Sequence, residues 1–135
     1  MHDRTAIVLA EDSPADVYLF REALKAHTVD VDLVVFEDGE AALSFMLDSE
    51  HDGPEPQLFV LDLNLPKVDG LTLLRHLRES ARFRNSLVMV LTSSNNPDDC
   101  TAALNLGANR FLRKAEKISD FLDLGREIKL LLRHS

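Results

Sequence analysis

Five polar side chains stand at the ends of four segments that are predicted below to be strands: Glu11, Asp12, Asp62, Thr92 and Lys114. An oxygen-only set of ligands suits a hard divalent cation, above all Mg²⁺. Like charges about 4 Å apart repel by about 4 kcal/mol at an effective dielectric constant of about 20, so clustered carboxylates need positive charge beside them. A metal ion, a hydroxyl and an ammonium group around one carboxylate would also stabilise a phosphoryl group in transfer. The set therefore predicts a carboxylate nucleophile that forms an aspartyl phosphate.

Apolar runs and amphipathic stretches alternate five times along the chain, which predicts alternating strands and helices. The predicted strands are Thr5–Ala10, Val31–Phe36, Gln57–Leu63, Leu87–Leu91 and Asn109–Arg113. The predicted helices begin at Ser13-Pro14, span Gly39–Leu47 and Leu71–Glu79, open at Asn96–Asp99, and start from a cap at Ser119. Asp48–Pro56 is predicted to be a loop.

Alternating strands and helices form right-handed crossovers, so we expect an α/β fold with a doubly wound, five-stranded parallel sheet and five helices. The common strand order for five such units is 2-1-3-4-5. In that order the first, third, fourth and fifth strands are neighbours, and their carboxyl ends meet at one rim. The five polar side chains are expected to converge there.

Composition excludes several classes of protein. The 135 residues carry a net charge of −8, which argues against binding nucleic acid through its phosphates. The single Cys100 excludes an intramolecular disulfide and fits a reducing cytoplasm. The turn Ala10–Pro14 has no glycine and two acids, which argues against a nucleotide phosphate there. We expect one cytoplasmic domain over residues 1–135, with no membrane span.

Four segments resemble the receiver domain of two-component response regulators, and the resemblance covers essentially the whole chain. They are Glu11–Pro14, Leu61–Gly70, Leu91–Ser94 and Phe111–Lys114. The resemblance implies the flavodoxin-like receiver fold and a histidine kinase as the partner. The strings EDSPAD and LDLNLPKVDG are most similar to the single-domain regulators of bacterial phytochrome kinases, so a bacteriophytochrome is the expected kinase.

The resemblance also implies roles for the acidic residues. Asp62 would accept the phosphoryl group from the kinase histidine. Asp12, Asp62 and the backbone carbonyl of Asn64 would bind Mg²⁺, and Glu11 would act on the metal through water.

Three further residues are implied to respond to the phosphoryl group. Thr92 would move to hydrogen-bond it, Lys114 would pair with it, and Phe111 would turn inward as the threonine moves. Family members usually carry a cis proline after the lysine, whereas this chain has Ala115. Because a non-proline cis bond costs about 3–4 kcal/mol, this departure leaves the reach of Lys114 open.

Phosphorylation is expected to change the face formed by the fourth helix, the fifth strand and the last helix, and homodimers are expected to form through it. Residues 1–70 hold 4 basic and 16 acidic side chains, whereas residues 71–135 hold 11 basic and 7 acidic ones. The basic candidates for salt bridges with a partner are Arg110, Arg113, Lys117, Arg126, Lys129 and Arg133.

Two other functions use similar residue types. A haloacid-dehalogenase-type phosphatase also has an aspartate nucleophile with Mg²⁺, but its second acid lies two residues later, where this chain has Asn64. A degenerate receiver would bind partners without phosphorylation, but the complete acid set with Thr92 and Lys114 argues against it. We therefore expect a stand-alone phosphoacceptor without an output domain, and not an enzyme with turnover.

Overall fold

A computed structural model describes residues 5–48 and 55–133 of the chain. The strands are β1 (Ala6–Ala10), β2 (Asp32–Phe36), β3 (Pro56–Leu61), β4 (Leu87–Thr92) and β5 (Arg110–Arg113). The helices are α1 (Pro14–Ala26), α2 (Gly39–Leu47), α3 (Gly70–Glu79), α4 (Pro97–Asn105), α5 (Ile118–Leu122) and α6 (Leu124–Arg133). Most of the predicted loop Asp48–Pro56 lies outside the described residues. Within the described part, no helix has the length and apolar character needed to cross a bilayer.

The strands form one parallel sheet in the order β2-β1-β3-β4-β5. This confirms the predicted fold class and strand order. The ends of neighbouring strands are level, since Ala10 at the end of β1 pairs with Leu61 at the end of β3. Thr92 at the end of β4 pairs with Arg113 at the end of β5 in the same way. The residues that follow these strands therefore emerge at one edge of the sheet.

Alternating side chains of the central strands enter two separate cores, one on each face of the sheet. Val8 and Ala10 face the core covered by α2, α3 and α4. Ile7 and Leu9 face the core covered by α1, α5 and α6. Because β1 is buried on both faces, its sequence is almost wholly apolar up to the point where Glu11 begins the site.

Four helices begin at capping side chains close to the edge where the strands end. The Ser13 hydroxyl accepts a hydrogen bond from the backbone N–H of Asp16 at 3.2 Å, and Pro14 is the first helical residue, as predicted. The side chains of Asp38, Asp69 and Asn96 cap α2, α3 and α4 in the same manner. These caps fix where each loop leaves the rim and enters its helix.

The predicted end of the third strand was wrong. The strand ends at Leu61 instead of Leu63, because the Asp62 side chain accepts a hydrogen bond from the backbone N–H of Asn64 at 3.1 Å and turns the chain out of the sheet. The other predicted strands differ from the observed ones by one residue at one end. Asp62 therefore stands just beyond the sheet rather than within its last strand.

The predicted start of the last helix was also wrong. The helix begins at Ile118 after Lys117, so Ser119 lies inside the first turn and does not cap it. The helix is then interrupted at Asp123, whose carbonyl accepts a hydrogen bond from the Arg126 N–H at 3.0 Å. The predicted single element is therefore two consecutive helices, α5 and α6.

The turn between β3 and α3 is tight and packs closely on its own strand end. Lys67 adopts φ 72°, and the Val68 N–H donates to the Pro66 carbonyl at 2.9 Å, which defines a strained γ-turn. Gly70 then lies against Asp62, since a β-carbon on Gly70 would come within 2.3 Å of the Asp62 carbonyl oxygen. The absence of a side chain at Gly70 lets α3 begin directly beside the candidate site.

Gly70→Ala is expected to lower the free energy of unfolding by about 1–3 kcal/mol, because backbone atoms must move to admit the methyl group. Urea denaturation measures this change. As a control, Ser44→Ala changes an exposed position of α2 and should alter stability by no more than about 0.5 kcal/mol. Equal stability of the Gly70→Ala variant and the wild type would show that the loop is not packed as described.

Candidate functional site

The structure brings the acidic and basic side chains singled out in the sequence to one rim of the sheet. Glu11 and Asp12 directly follow β1, Asp62 follows β3, Thr92 ends β4, and Lys114 follows β5. Glu11, Asp62 and Thr92 are buried, whereas Asp12 is exposed. The site is therefore a cluster of buried polar groups that opens to solvent at Asp12.

The Lys114 ammonium group is the positive centre of this cluster. Its Nζ lies 2.7 Å from Glu11 Oε1, 2.7 Å from Asp16 Oδ2 and 3.1 Å from Asp62 Oδ2. Burial alone would lower the pKa of Lys114, but hydrogen bonds to Asp16 and Glu11 and the charge of Asp62 outweigh it and raise the pKa. Lys114 therefore stays protonated while surrounded by three carboxylates.

The backbone around Lys114 directs its side chain into the site. The Lys114 N–H donates to the Thr92 carbonyl at 2.8 Å, which continues the pairing of β4 with β5 by one residue. The Lys114–Ala115 peptide bond is trans, as are all those between described residues. The missing proline therefore does not prevent Lys114 from reaching Asp62.

Glu11 is held in place at both its backbone and its carboxylate. Its backbone N–H donates to the Phe36 carbonyl at 2.9 Å, and its Oε2 accepts the Ser13 N–H at 3.1 Å. Burial, with a further contribution from the charge of Asp62, raises the pKa of Glu11 to about 7, although the hydrogen bond from Lys114 acts in the opposite direction. The Glu11 carboxyl group is therefore only partly ionised at neutral pH.

Glu11, Asp12 and Asp62 fit a divalent cation. Each offers an oxygen atom, and these three oxygens lie within 4.8 Å of one another. Oxygens bound to one ion at the 2.0–2.6 Å typical of Mg²⁺ or Ca²⁺ lie about 3–5 Å apart, so this spacing suits a shared ion. The Asn64 N–H already orients Asp62 by donating to its Oδ1, while metal binding by the Asn64 carbonyl stays a prediction.

Thr92 and Phe111 lie where a response to the site could begin, but their roles stay predictions. The fully buried Thr92 accepts the Ser94 N–H on its Oγ1 at 3.3 Å. The Ser94 hydroxyl in turn bonds the carboxylate of Asp99 in the first turn of α4. Phe111 pairs with Val90 across β4 and β5 and is half-buried against the core beneath α3 and α4.

The sequence interpretation missed Asp16, which contacts Lys114 as closely as Glu11 does. A signal for it exists in the sequence. Asp16 lies in the first turn of a helix that begins immediately after β1, so its side chain had to start near the rim. The interpretation used only the residues at the strand ends and did not extend to the first helical turn.

The affinity for Mg²⁺ or Mn²⁺ is expected to rise about tenfold between about pH 6 and pH 8, because the cation must displace the proton from Glu11. Isothermal titration calorimetry in buffers of different ionisation enthalpy measures both the affinity and the proton released. Glu11→Gln has no proton to release there and should bind with an affinity nearly constant over this range. An unchanged wild-type affinity would contradict the assigned position of Glu11.

The comparisons with known proteins agree with one another. The response regulator receiver domain family matches residues 7–124. Response regulator Rcp1 of Synechocystis sp. is 38% identical over 125 residues, which cover 91% of this chain and 85% of Rcp1. A crystal structure of Mn²⁺-bound Rcp1 has 37% identity and a TM-score of 0.84, covering 93% of this chain and 91% of that one. The phosphorylated cyanobacterial phytochrome response regulator RcpA has 31% identity and a TM-score of 0.85, with the same coverage of both chains. This chain thus belongs to the response regulator receiver domain family.

Proposed function

We propose that Asp62 accepts a phosphoryl group from the phosphohistidine of a histidine kinase. The observation that carries this proposal is the placement of Asp62, whose Oδ2 faces Lys114 and whose Oδ1 accepts the Asn64 N–H. In the transfer a carboxylate oxygen of Asp62 forms the new bond to phosphorus while the bond from phosphorus to the histidine nitrogen breaks. The histidine nitrogen keeps that electron pair and takes up a proton from water, which gives neutral imidazole.

Mg²⁺ is the proposed metal, held by Asp12, Asp62 and the backbone carbonyl of Asn64, with Glu11 acting on it through water. When bound, the ion would offset the negative charge that builds up as a phosphoryl group approaches carboxylates. The Mn²⁺-bound form of Rcp1 supports a divalent cation. Because Asp12 is exposed, a bound ion would be accessible to water and to a phosphoryl oxygen.

The response to phosphorylation is proposed to pass through Thr92. A phosphoryl group on Asp62 would attract the Thr92 hydroxyl, which now accepts the Ser94 N–H. Because Ser94 also bonds Asp99 at the start of α4, movement of Thr92 would shift this end of α4. Half-buried Phe111 would then turn into the space that Thr92 leaves.

The proposed partner is a phytochrome histidine kinase, and we propose that this protein is a stand-alone regulator. RcpA is described as a phytochrome response regulator. The match covers 85% of Rcp1 and 91% of the RcpA chain, so a receiver domain makes up most of each. We propose that this receiver likewise signals through its own surface.

Self-association is proposed through the surface of α4, β5, α5 and α6. Exposed Leu104 and Ile118 supply apolar area on it. Exposed Arg113 and Arg126 stand near exposed Asp120 and Asp123 around one groove of about 410 Å³, a mixture of charges that can pair with a second copy. Two of the basic candidates from the sequence have partners within the chain instead.

Those two candidates are Arg110, which pairs with Glu127, and Lys129, which donates to the His27 carbonyl at 3.2 Å. They are therefore poorer choices for testing a dimer than Arg113 and Arg126.

Incubation with acetyl phosphate and Mg²⁺ is expected to add one phosphoryl group to the wild type and none to Asp62→Asn, because the variant lacks the nucleophile. Intact mass spectrometry measures the product. Asp120→Asn, which removes an exposed carboxylate from α5, should react as the wild type does. Phosphorylation of Asp62→Asn to the same extent would contradict the proposal.

A second arm replaces acetyl phosphate with an autophosphorylated bacterial phytochrome histidine kinase. This kinase should transfer its phosphoryl group to the wild type completely, and an unrelated histidine kinase should transfer none in the same time. Reaction with acetyl phosphate but not with this kinase would retain the phosphoacceptor and remove the phytochrome link.

The double variant Arg113→Glu/Arg126→Glu is expected to weaken the dimer about tenfold or more, because like charges then face the acids of the second copy. Sedimentation velocity before and after phosphorylation measures the monomer–dimer balance. Arg75→Glu/Arg84→Glu makes the same charge change at exposed positions in and after α3 and should leave the balance unaltered. An unchanged sedimentation profile for the first variant would refute this dimer surface.

A further inference from the structure

We infer that Asp16 is a positioning residue for Lys114: it holds the ammonium group at the rim when a cation and a phosphoryl group occupy the site. The inference deepens the proposed function and rests on it. Asp16 lies 98 residues from Lys114 in sequence, and their side chains meet at 2.7 Å.

Lys114 has a limited number of hydrogen-bond donors. A lysine ammonium group has three N–H donors, and here three carboxylates lie within 3.1 Å of it. All three donors are therefore engaged in the structure. A phosphoryl oxygen can bond to Lys114 only if one of these carboxylates gives up its place.

The three carboxylates that contact Lys114 are not equivalent. Glu11 and Asp62 also belong to the group whose oxygens lie within 4.8 Å of one another and fit a cation, whereas Asp16 does not. A bound cation would therefore draw Glu11 and Asp62 away from Lys114. Asp16 is the partner that no cation takes.

Asp16 is itself fixed to the rim of the sheet. Its backbone N–H donates to the Ser13 hydroxyl at 3.2 Å, and the Ser13 N–H donates to Glu11 at 3.1 Å. The side chain of Asp16 is 26% exposed, against 3% for Glu11 and 6% for Asp62. Asp16 is thus the most exposed of the three partners of the ammonium group.

The Lys114 side chain is free to move. It has a flexible four-carbon stem, and its backbone N–H is held by the Thr92 carbonyl. The next residue is Ala115, so no proline ring stiffens the chain at that point. Without Asp16, a cation that captures Glu11 would leave the ammonium group free to swing into solvent.

The test compares Asp16→Asn with Asp16→Glu and with the control Glu22→Gln. Glu22 is on the same helix, where it pairs with Lys25 at the surface. Three quantities are measured on the full chain: the phosphorylation rate by acetyl phosphate at saturating Mg²⁺, the Mg²⁺ dissociation constant, and the NMR signal of the Lys114 ammonium group with Mg²⁺ bound. Thermal unfolding confirms that each variant is folded.

Asp16→Asn is expected to lower the phosphorylation rate at saturating Mg²⁺ about tenfold, because the lysine no longer starts in place. The Mg²⁺ dissociation constant should change far less than the rate, and the ammonium signal should be lost to exchange with water. Asp16→Glu should restore most of the rate, and Glu22→Gln should match the wild type. A merely stabilising ion pair would lower the unfolding temperature without separating rate from metal affinity.

A rate for Asp16→Asn equal to or above that of the wild type, with the ammonium signal retained, would overturn the inference. The higher rate would show that Asp16 only repels the phosphodonor. If the wild type takes up no phosphoryl group, the proposed function fails, and the ammonium signal alone tests whether Asp16 positions Lys114. Retention of that signal in Asp16→Asn would refute the positioning role, and loss of the signal would support it.

Discussion

Lys114 contacts three carboxylates with one positive charge, and this shortage of positive charge governs the site. Glu11 and Asp62 are buried, so water cannot compensate for their repulsion. Burial is the largest cause of the raised pKa of Glu11, about 7, and the charge of Asp62 adds to it. A divalent cation among Glu11, Asp12 and Asp62 would remove the shortage, and it would also free a lysine donor for a phosphoryl oxygen. The proposed metal binding and the proposed phosphoryl acceptance are linked in this way through the same charge imbalance.

The sheet holds this arrangement through backbone bonds that continue past the strand ends. The Glu11 N–H donates to the Phe36 carbonyl at 2.9 Å, and the Asp62 N–H donates to the Ala10 carbonyl at 3.1 Å. The Lys114 N–H donates to the Thr92 carbonyl at 2.8 Å in the same way. Each ionisable residue is thus fixed at its backbone by the neighbouring strand, which limits how far mutually repelling side chains can separate. In the strand order, Thr92 at the end of β4 lies between Asp62 after β3 and Lys114 after β5. Its hydroxyl is hydrogen-bonded to Ser94 in the loop that enters α4.

Local sequence pattern was sufficient for the fold and for most of the rim. Strands buried on both faces are continuous apolar runs, so the polar residue after such a run marked its end, as at Glu11. The pattern failed where a side chain ends an element, because the turn at Asp62 depends on a hydrogen bond rather than on hydropathy. It failed again at Ser119, since serine favours helix caps in general but lies inside the first turn of α5. Asp16 was missed because its contact depends on the direction of a lysine side chain 98 residues away.

The most direct test of the charge account is a pair of crystal structures of the wild type, with and without Mn²⁺, with the ion located by its anomalous scattering. The account predicts the Mn²⁺ peak among the carboxylates of Glu11, Asp12 and Asp62. It also predicts that Lys114 has lost its contact with Glu11 while its contact with Asp16 remains. A Mn²⁺ peak elsewhere, or a Lys114 that keeps Glu11 and leaves Asp16 when the ion binds, would contradict it.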